Sequence, residues 1–324
     1  MSVVVPMLDE LGYIEECLDG FARQTYPLDS LEVLVVDGGS TDGSRQLVES
    51  MAVERPWLRI LDNPARRASA AFNRGVESAR GDVVCLFSSH GVPDTDYVER
   101  SVAVLLETAA AGVGGCYRHE AREPVAQALG LAMVSPFGMA SPHRFARARR
   151  EVDTISHPAY RRDALTDVGP FDESLERNSD YEMNWRLRER GYRLVFDPTI
   201  GSVYRPRGSL SKLGRQFWWY GRWKVRVLRR HPASVRARHL VPPVATAGMA
   251  AGPLLLASRR GRSVVATGAA VYGGVLAAAL VHSRPRRRRA DPFAFAAAFP
   301  VMHVAWGAGF LMSVAELLVR KRRG

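Results

Sequence analysis

Along the first third of the chain, hydrophobic residues form short continuous runs, and between the runs they recur at the three- and four-residue spacing of a helix. Val3–Pro6 is a β-branched run that predicts a strand, and a helical pattern follows from about Glu10 to Gln24. Leu31–Val36 predicts a second strand and Gly38–Ser44 a tight turn, after which a helix runs to about Arg55. Trp57–Leu61 predicts a third strand, Ala65–Ala79 a third helix ended by Arg80-Gly81, and Asp82–Phe87 a fourth strand. Strands that are apolar throughout and separated by helices imply an α/β domain with a mostly parallel sheet covered on both faces. In such sheets ligands bind beyond the carboxyl ends of the strands, so the polar residues that follow each run are the ones that matter.

The pattern changes near residue 240. Three stretches, 240–257, 263–282 and 293–319, are rich in Ala, Gly, Leu and Val and nearly free of charge, and clusters at Arg259–Arg262, Arg286–Arg289 and Arg320–Arg323 punctuate them. About 20 apolar residues span a bilayer, so the second and third stretches predict transmembrane helices; the first is interrupted by Pro242, Pro243 and Pro253. Counting positive charges leaves one cluster on the outer side whether two or three segments cross, so it does not set the orientation. The expected organisation is an α/β domain over 1–206, a basic, aromatic, amphipathic interface segment over 207–239 and a membrane domain over 240–324 with two or three transmembrane helices.

Charge sharpens this division. The 324 residues carry a net +12, which alone would suggest a nucleic-acid partner. From Arg207 onward, however, there are 22 Lys and Arg against only Asp291 and Glu316, so the tail is at +20 and the first 206 residues are at −8. The positive charge therefore accompanies the apolar runs, and an anionic membrane is the expected partner, with no nucleic acid. Residues 1–20 lack the basic leader and long apolar core of a signal peptide, which places the α/β domain on the cytoplasmic side of the cytoplasmic membrane, with multi-pass anchoring by the tail. Cys17, Cys85 and Cys116 have no metal-ligand spacing and read as small buried hydrophobes.

After the first strand comes Pro6-Met7-Leu8-Asp9-Glu10, and after the second Asp37-Gly38-Gly39-Ser40-Thr41-Asp42-Gly43-Ser44. Glycines let the backbone approach a ligand, Ser40, Thr41 or Asp42 can cap the next helix, and a carboxylate at a strand end can accept hydrogen bonds from a base or a ribose. Neither a P-loop nor a correctly placed dinucleotide fingerprint is present. Ser179-x-x-Glu182 reads as a capping box with Asp180 at the first helical position. Gln216–Trp223, followed by Arg222, Lys224, Arg226, Arg229 and Arg230, suits a helix lying at an anionic headgroup surface, and equally an element of an acceptor site.

VVVPMLDE, then VVDGGSTDGS, then Asn73-Arg74-Gly75 ahead of Gly81-Asp82 together resemble the family 2 inverting glycosyltransferases of GT-A fold. Val168–Glu173, Arg177–Arg188 and Tyr204–Leu210 resemble the succinoglycan-biosynthesis type more closely, and the likeness covers about residues 2–230. The resemblance implies a nucleotide-sugar site lined by Pro6, Glu10, Asp37, Arg67, Asn73 and Gly75, with Asp37 on the uracil, and a catalytic base at Asp180. Where the family carries Asp-x-Asp or Asp-Ala-His for a divalent metal, Mn or Mg, this chain reads Ser88-Ser89-His90, so only His90 matches. Asp94 and Asp96, close by, read as first-turn helix residues. The implied activity is transfer of a hexose from a UDP-sugar donor to a lipid-linked saccharide acceptor in exopolysaccharide or cell-surface glycan synthesis. Ser88 motivates the alternative, a non-catalytic nucleotide-sugar-binding or scaffold protein that has lost the metal-binding Asp.

Overall fold

The structure is a computed structural model that describes residues 1–138, 146–206, 208–283 and 289–323. Arg207 and the arginines at 286–288 lie outside the described residues, so the charge cluster assigned to 286–289 is described only at its last position. The chain divides into two compact units, Met1–Arg118 with His143–Arg205, and His119–Pro142 with Pro206–Gly324. One division falls between Arg205 and Pro206. Two features differ from expectation: 119–142 belongs with the tail, and the basic aromatic segment after 206 is part of the same unit as the apolar helices that follow it.

The first unit is built on strands β1 (Ser2–Met7), β2 (Glu32–Asp37), β3 (Leu58–Asp62) and β4 (Val83–Leu86), alternating with helices α1 (Ile14–Ala22), α2 (Ser44–Glu54) and α3 (Ala68–Ser78). The order across the sheet is β3-β2-β1-β4, all parallel, as the runs of Val, Ile and Leu predict. It continues through an antiparallel half that the hydrophobic pattern does not announce. This half comprises β5 (Gly91–Pro93), α4 (Tyr97–Thr108), β6 (Gly112–His119), β7 (Arg150–Glu151), β8 (Ala159–Arg161), α6 (Arg162–Val168), α7 (Ser179–Glu189) and β9 (Leu194–Tyr204); α5 (Pro124–Met133) falls in the other unit. Strand β8 pairs antiparallel with β4 and β6, and β9 pairs antiparallel with β5 and β7. Because β2 and β3 lie on one side of β1 and β4 on the other, the strand order reverses at β1, and the crevice opens at the carboxyl ends of β1 and β4.

The register explains why that crevice exists. β1 pairs with β2 along its whole length, from Ser2 to Met7, but with β4 only from Ser2 to Val4. Pro6 stands past the last β1–β4 pair, where a residue without an amide N–H breaks no bond to β4. Two cores cover the sheet. On one face Val3, Val5, Val33 and Val35 pack with Ile14, Leu18 and Phe21 of α1; on the other Val4, Leu34 and Val36 pack with Ala71 of α3 and with Met183 and Leu187 of α7. Cys17 and Cys85 are buried among them as expected, and Cys116 is half-buried.

The second unit holds α5, α8 (Leu210–Arg230), α9 (Ala237–Leu255), α10 (Arg259–His282) and α11 (Pro292–Arg323). The three apolar runs thus correspond to α9, α10 and α11, of which α10 and the Pro292–Val319 stretch of α11 are long and apolar enough to cross a membrane. α8 is amphipathic, turning Leu213, Phe217, Trp223, Val227 and Leu228 inward, and Arg226 lies 3.9 Å from the Trp223 ring centroid.

One helix sits so close to β1 that only glycine fits. A Cβ on Gly75 would come 2.2 Å from Cγ1 and 2.5 Å from Cγ2 of Val4. Gly75→Ala should therefore destabilise the fold by roughly 1–3 kcal/mol through overpacking. Gly12, which meets nothing within 4 Å, should tolerate alanine at near-neutral stability in the same denaturation experiment.

Candidate functional site

The carboxyl ends of the strands carry most of the predicted residues. The loop after β1 is held by the string after β2: Ser40 Oγ accepts from the Asp9 N–H at 2.9 Å, Asp42 Oδ2 from Leu11 at 3.0 Å and Ser44 Oγ from Glu10 at 2.8 Å, while Asp9 Oδ1 accepts from Thr41 at 2.8 Å. Asp9 itself adopts φ 55°, tolerable for an Asp in a tight turn. The polar side chains of DGGSTDGS therefore lace two loops together. None of them is the N-cap residue of α2, a place taken by Gly43 at φ 96°.

Asp37 is buried at the end of β2. Its Oδ1 accepts from the Ser40 hydroxyl at 2.6 Å and amide at 3.1 Å, and its Oδ2 from Arg45 Nη1 at 3.3 Å. The same Arg45 nitrogen lies 2.7 Å from Asp62 Oδ1 at the end of β3, and Arg45 Nε reaches Glu49 at 2.8 Å. These bonds, that to Asp62 foremost, raise the Arg45 pKa further above its ordinary value. Asp37 is thus set in a rigid, partly neutralised position.

Across the crevice, Glu10 and His90 meet. Glu10 Oε2 lies 2.9 Å from His90 Nδ1, both side chains nearly buried, in a contact that is close but not aligned as a hydrogen bond. The imidazole is walled by Tyr13 at 4.9 Å and Tyr204 at 6.0 Å, both edge-on. Its backbone carbonyl accepts from the Arg205 N–H at 2.9 Å, which ties the end of β9 to this point. His157 extends the aromatic group, 4.6 Å from Phe87 and 5.3 Å from Tyr117, in the left-handed region at φ 45°. Left-handed backbone in a non-glycine residue concentrates at functional sites. Among these neighbours, Tyr204 stands in a motif visible in the sequence, whereas Tyr13, Tyr117 and His157 carry no spacing that would have found them.

The position matched to the metal signature holds Ser88, Ser89 and His90. Ser88 Oγ accepts from the His90 N–H at 3.3 Å, and among the described residues no three His, Cys, Asp or Glu side chains converge on one point. The donors at hand are one imidazole, a hydroxyl and the Glu10 carboxylate beside the imidazole. Such a set suits a cation whose remaining ligands come from a diphosphate and water, and does not suit one caged by protein alone. Asp94 and Asp96 are not first-turn residues: α4 starts at Tyr97, Asp96 is its N-cap residue, and Asp94 pairs with Arg118 at 2.7 Å.

Two other predicted residues, with Ser69, form a clip. Asn73 donates through Nδ2 to Phe171 O and Glu173 Oε1, both at 2.9 Å, and accepts from the Phe171 N–H at 2.7 Å. Arg67 Nη1 donates to Glu173 O at 3.0 Å, and Ser69 Oγ to Leu175 O at 3.3 Å. Asn73 and Arg67 therefore hold the 171–175 loop, and Gly75 packs on β1. Arg66, at φ 55°, reaches the other way, to Gly39 O at 3.3 Å.

That loop leads into α7 and Asp180. The expected capping box does not form. Asn178, at φ 62°, is the N-cap residue, Ser179 is the first helical residue and Asp180 the second, and Glu182 pairs with Arg186 at 2.8 Å. A left-handed Asn ends the preceding turn and starts the helix one residue earlier than a serine cap would. Asn184, fully buried, fixes α7 to the sheet by accepting from Tyr160 at 2.7 Å and donating to Thr154 at 3.0 Å. Burial, and then the charge of Asp180, push the Tyr160 phenol well above its ordinary pKa. Asp180 is exposed and makes no hydrogen bond or ion pair among the described residues.

The profile described as Glycosyl transferase family 2 matches residues 2–169. The succinoglycan biosynthesis protein ExoA of Rhizobium meliloti (strain 1021) is 34% identical over 329 residues, covering 99% of this chain and 96% of its own length. The chain belongs to glycosyl transferase family 2. A second relative of this family 2 transferase, from Methanococcus voltae, is 26% identical over 71% of this chain and 74% of its own length. It is described as a dolichyl N-acetyl-alpha-D-glucosaminyl phosphate 3-beta-D-2,3-diacetamido-2,3-dideoxy-beta-D-glucuronosyltransferase. Among solved structures, the mannosyltransferase PcManGT of Pyrobaculum calidifontis, in complex with GDP-Man and Mn2+, superposes with a TM-score of 0.65 at 21% identity, over 97% of this chain and 87% of that one. That likeness establishes the GT-A fold of this family 2 enzyme.

The clip makes a direct prediction. Asn73→Ala leaves the Phe171 N–H and C=O without their partner, each at roughly 1–3 kcal/mol if they remain buried. Hydrogen exchange should accelerate in 171–175, and transferase activity should fall with it.

Proposed function

We propose that this family 2 glycosyltransferase is membrane-anchored and inverting, with Asp180 as its base. It moves a hexose from a UDP-sugar to a polyprenyl-diphosphate-linked saccharide at the cytoplasmic face, in exopolysaccharide or cell-surface glycan synthesis. The observation that carries the reading is the contrast among the acids of the site. Asp37 and Glu10 are buried and engaged, whereas Asp180 stands exposed at the second position of α7, on a helix anchored by Asn184 and approached by a loop that Asn73 clips. An exposed carboxylate on a rigid mount can meet an acceptor hydroxyl and take its proton.

The step is a single displacement. The acceptor oxygen forms its bond to the anomeric carbon as its proton passes to Asp180, and the bond from that carbon to the diphosphate oxygen breaks on the opposite face, UDP leaving with the electron pair. A divalent cation, Mn2+ or Mg2+, held by Glu10 and His90 together with the diphosphate, would supply positive charge against the leaving group. Asp37 is assigned to the uracil, with Pro6 beside it, and Arg67 to the donor cleft. Asn73 and Gly75 serve that cleft by holding the 171–175 loop and by seating α3 on β1. A lipid-linked acceptor is favoured by the apolar tail, which brings catalyst and substrate to one surface, and by the dolichyl phosphate in the name of the Methanococcus voltae relative.

Asp180→Asn should lower transfer by about 10²- to 10⁴-fold while UDP binding, measured by calorimetry, stays unchanged; turnover near wild type would remove Asp180 from the base role. Ser88 favours a second reading, a nucleotide-sugar-binding protein without turnover. Donor consumption assayed with membranes and Mn2+ separates the two: activity in wild type that falls in Glu10→Gln and His90→Ala supports the enzyme, whereas an inert wild type that gains activity in Ser88→Asp supports the binding protein.

A further inference from the structure

One face of α8 is a stripe of Lys212, Arg215, Trp219, Arg222, Arg226 and Arg229, at steps of three and four residues along most of the 21-residue helix. All are exposed except Arg222, which is half-buried and pairs with Glu316 at 2.8 Å. The opposite face, with Leu213, Phe217 and Gly221, is buried. A stripe of this kind seats a helix flat at an anionic headgroup surface, because a steep tilt would carry part of it into hydrocarbon.

Over its second half α11 follows α8. A Cβ on Gly221 would meet Trp306 O at 2.0 Å, and one on Gly309 would meet Trp218 O at 2.2 Å. A helix held this closely along a flat α8 lies flat over the same stretch. At its start α11 is tied to α5 instead, where the Asp291 N–H donates to Pro124 O at 3.0 Å. Pro124 comes six residues after Arg118, a reach of about 20 Å even when fully extended, whereas a hydrocarbon core is about 30 Å thick. Both ends of α11 therefore stay on the side from which the chain enters this unit, although the helix is long and apolar enough to cross.

α9 and α10 are held to α11 in turn. A Cβ on Gly307 would meet Thr246 Oγ1 at 2.2 Å and Pro242 O at 2.5 Å, and Tyr272 Oη lies 3.0 Å from His303 Nδ1. Beyond those points only 247–255 of α9 and 259–271 of α10 remain, about 14 Å and about 20 Å of helix. Both arms are shorter than a hydrocarbon core. The tip between them carries Arg259, Arg260 and Arg262, which are strongly disfavoured at the bilayer centre, so it turns along the membrane surface. Charge points the same way. Two or three crossings each leave one arginine cluster on the outer side, whereas no crossing keeps every cluster on the cytoplasmic side, where Lys and Arg are in excess.

We infer that no helix of this unit crosses the bilayer, and that α8–α11 form a monotopic seat in the cytoplasmic leaflet. The stripe of α8 lies among the headgroups, and the exposed apolar side chains of α9 and α10, such as Val244, Met249, Val264 and Val271, lie among the acyl chains. The occupant of that apolar surface is lipid, because arginines bound it at the helix ends and complement anionic headgroups. The inference rests on the membrane-anchored reading above and deepens it.

The test is site-directed labelling with a membrane-impermeant maleimide, in intact cells and in inside-out membrane vesicles. Cys116→Ser provides the background, because burial pushes the Cys17 thiol up and the Cys85 thiol up to about 12, leaving both unreactive. Single cysteines replace Arg260, Arg289 or Leu318, each exposed, with Arg259→Cys as a second probe of the tip if Arg260→Cys is not produced. The expected result is labelling of all three positions in vesicles and of none in intact cells. Labelling of the tip in intact cells would make α9 and α10 a crossing hairpin, and opposite behaviour of positions 289 and 318 would make α11 a span; either overturns the inference. A position unlabelled from both sides would lie within the hydrocarbon and overturn it as well. Release of the protein into detergent-free buffer would instead remove the membrane reading itself.

Discussion

Strand β1 governs the catalytic unit. Val3, Val4 and Val5 have no solvent exposure, parallel neighbours flank the strand, and the two cores of the sheet meet its two faces. Burying each valine contributes roughly 1.5–3 kcal/mol, and the unequal lengths of the flanking ladders do the rest. Because β4 stops opposite Val4 while β2 continues to Met7, the chain emerges at Pro6–Glu10 with one side open. His90, arriving from the end of β4, fills that opening against Glu10. The close seating of Gly75 on Val4 sets α3 on the sheet, α3 presents Asn73 to the 171–175 loop, and the loop delivers α7. Val4, Gly75, Asn73 and the 171–175 loop thus form a continuous path to α7, the helix that carries the expected base.

The parallel half of this arrangement is legible in the sequence because each of its strands is a self-contained apolar run between helical spacings. The antiparallel half is not. β5, β7 and β8 have two or three residues each, too few to show an alternation, and they are strands only because β9 and β4 lie beside them. The same limit applies to α7. Ser179 and Glu182 have the spacing of a capping box, but the left-handed φ of Asn178 and the pairing of Glu182 with Arg186 depend on tertiary packing that spacing does not encode. The residues expected at the site stand out by type and position in the sequence. Their division of labour does not: Asn73 and Gly75 carry the same motif, yet one bonds a loop and the other makes room for a valine.

Net charge illustrates a related point. On the proposed function, a chain whose first 206 residues carry −8 would have to admit a dianionic diphosphate, which bulk charge opposes. Screening confines that opposition to about 10 Å at ordinary ionic strength, so the side chains at the crevice decide. There the acids are internally engaged, Asp37 and Asp62 by Arg45 and Glu10 by its contact with His90, while Arg66 and Arg67 stand at the amino end of α3. Engagement of the surrounding carboxylates does two things at once. On the proposed function it lowers the repulsion a donor diphosphate would meet, and it sets these acids apart from the exposed Asp180.

In the tail, hydropathy gives similar answers for helices with different surroundings, and the glycines separate them. Gly307 and Gly309 of α11, like Gly214 and Gly221 of α8, have neighbours that a Cβ would press or strike: Thr246 and Pro242, Trp218, Val301, and Trp306 respectively. They let backbones approach within a protein core. Gly268, Gly273 and Gly274 of α10 have no atom within 4 Å of a built Cβ among the described residues. Glycine lowers helix stability by about 1 kcal/mol relative to alanine in water, where the backbone it exposes is hydrated. In hydrocarbon no such competitor exists, and glycine is more frequent in membrane helices than in soluble ones. Three unpartnered glycines along one helix are therefore poor choices for an exposed helix in water and acceptable ones in lipid, a distinction that depends on what surrounds the helix and not on its mean apolarity.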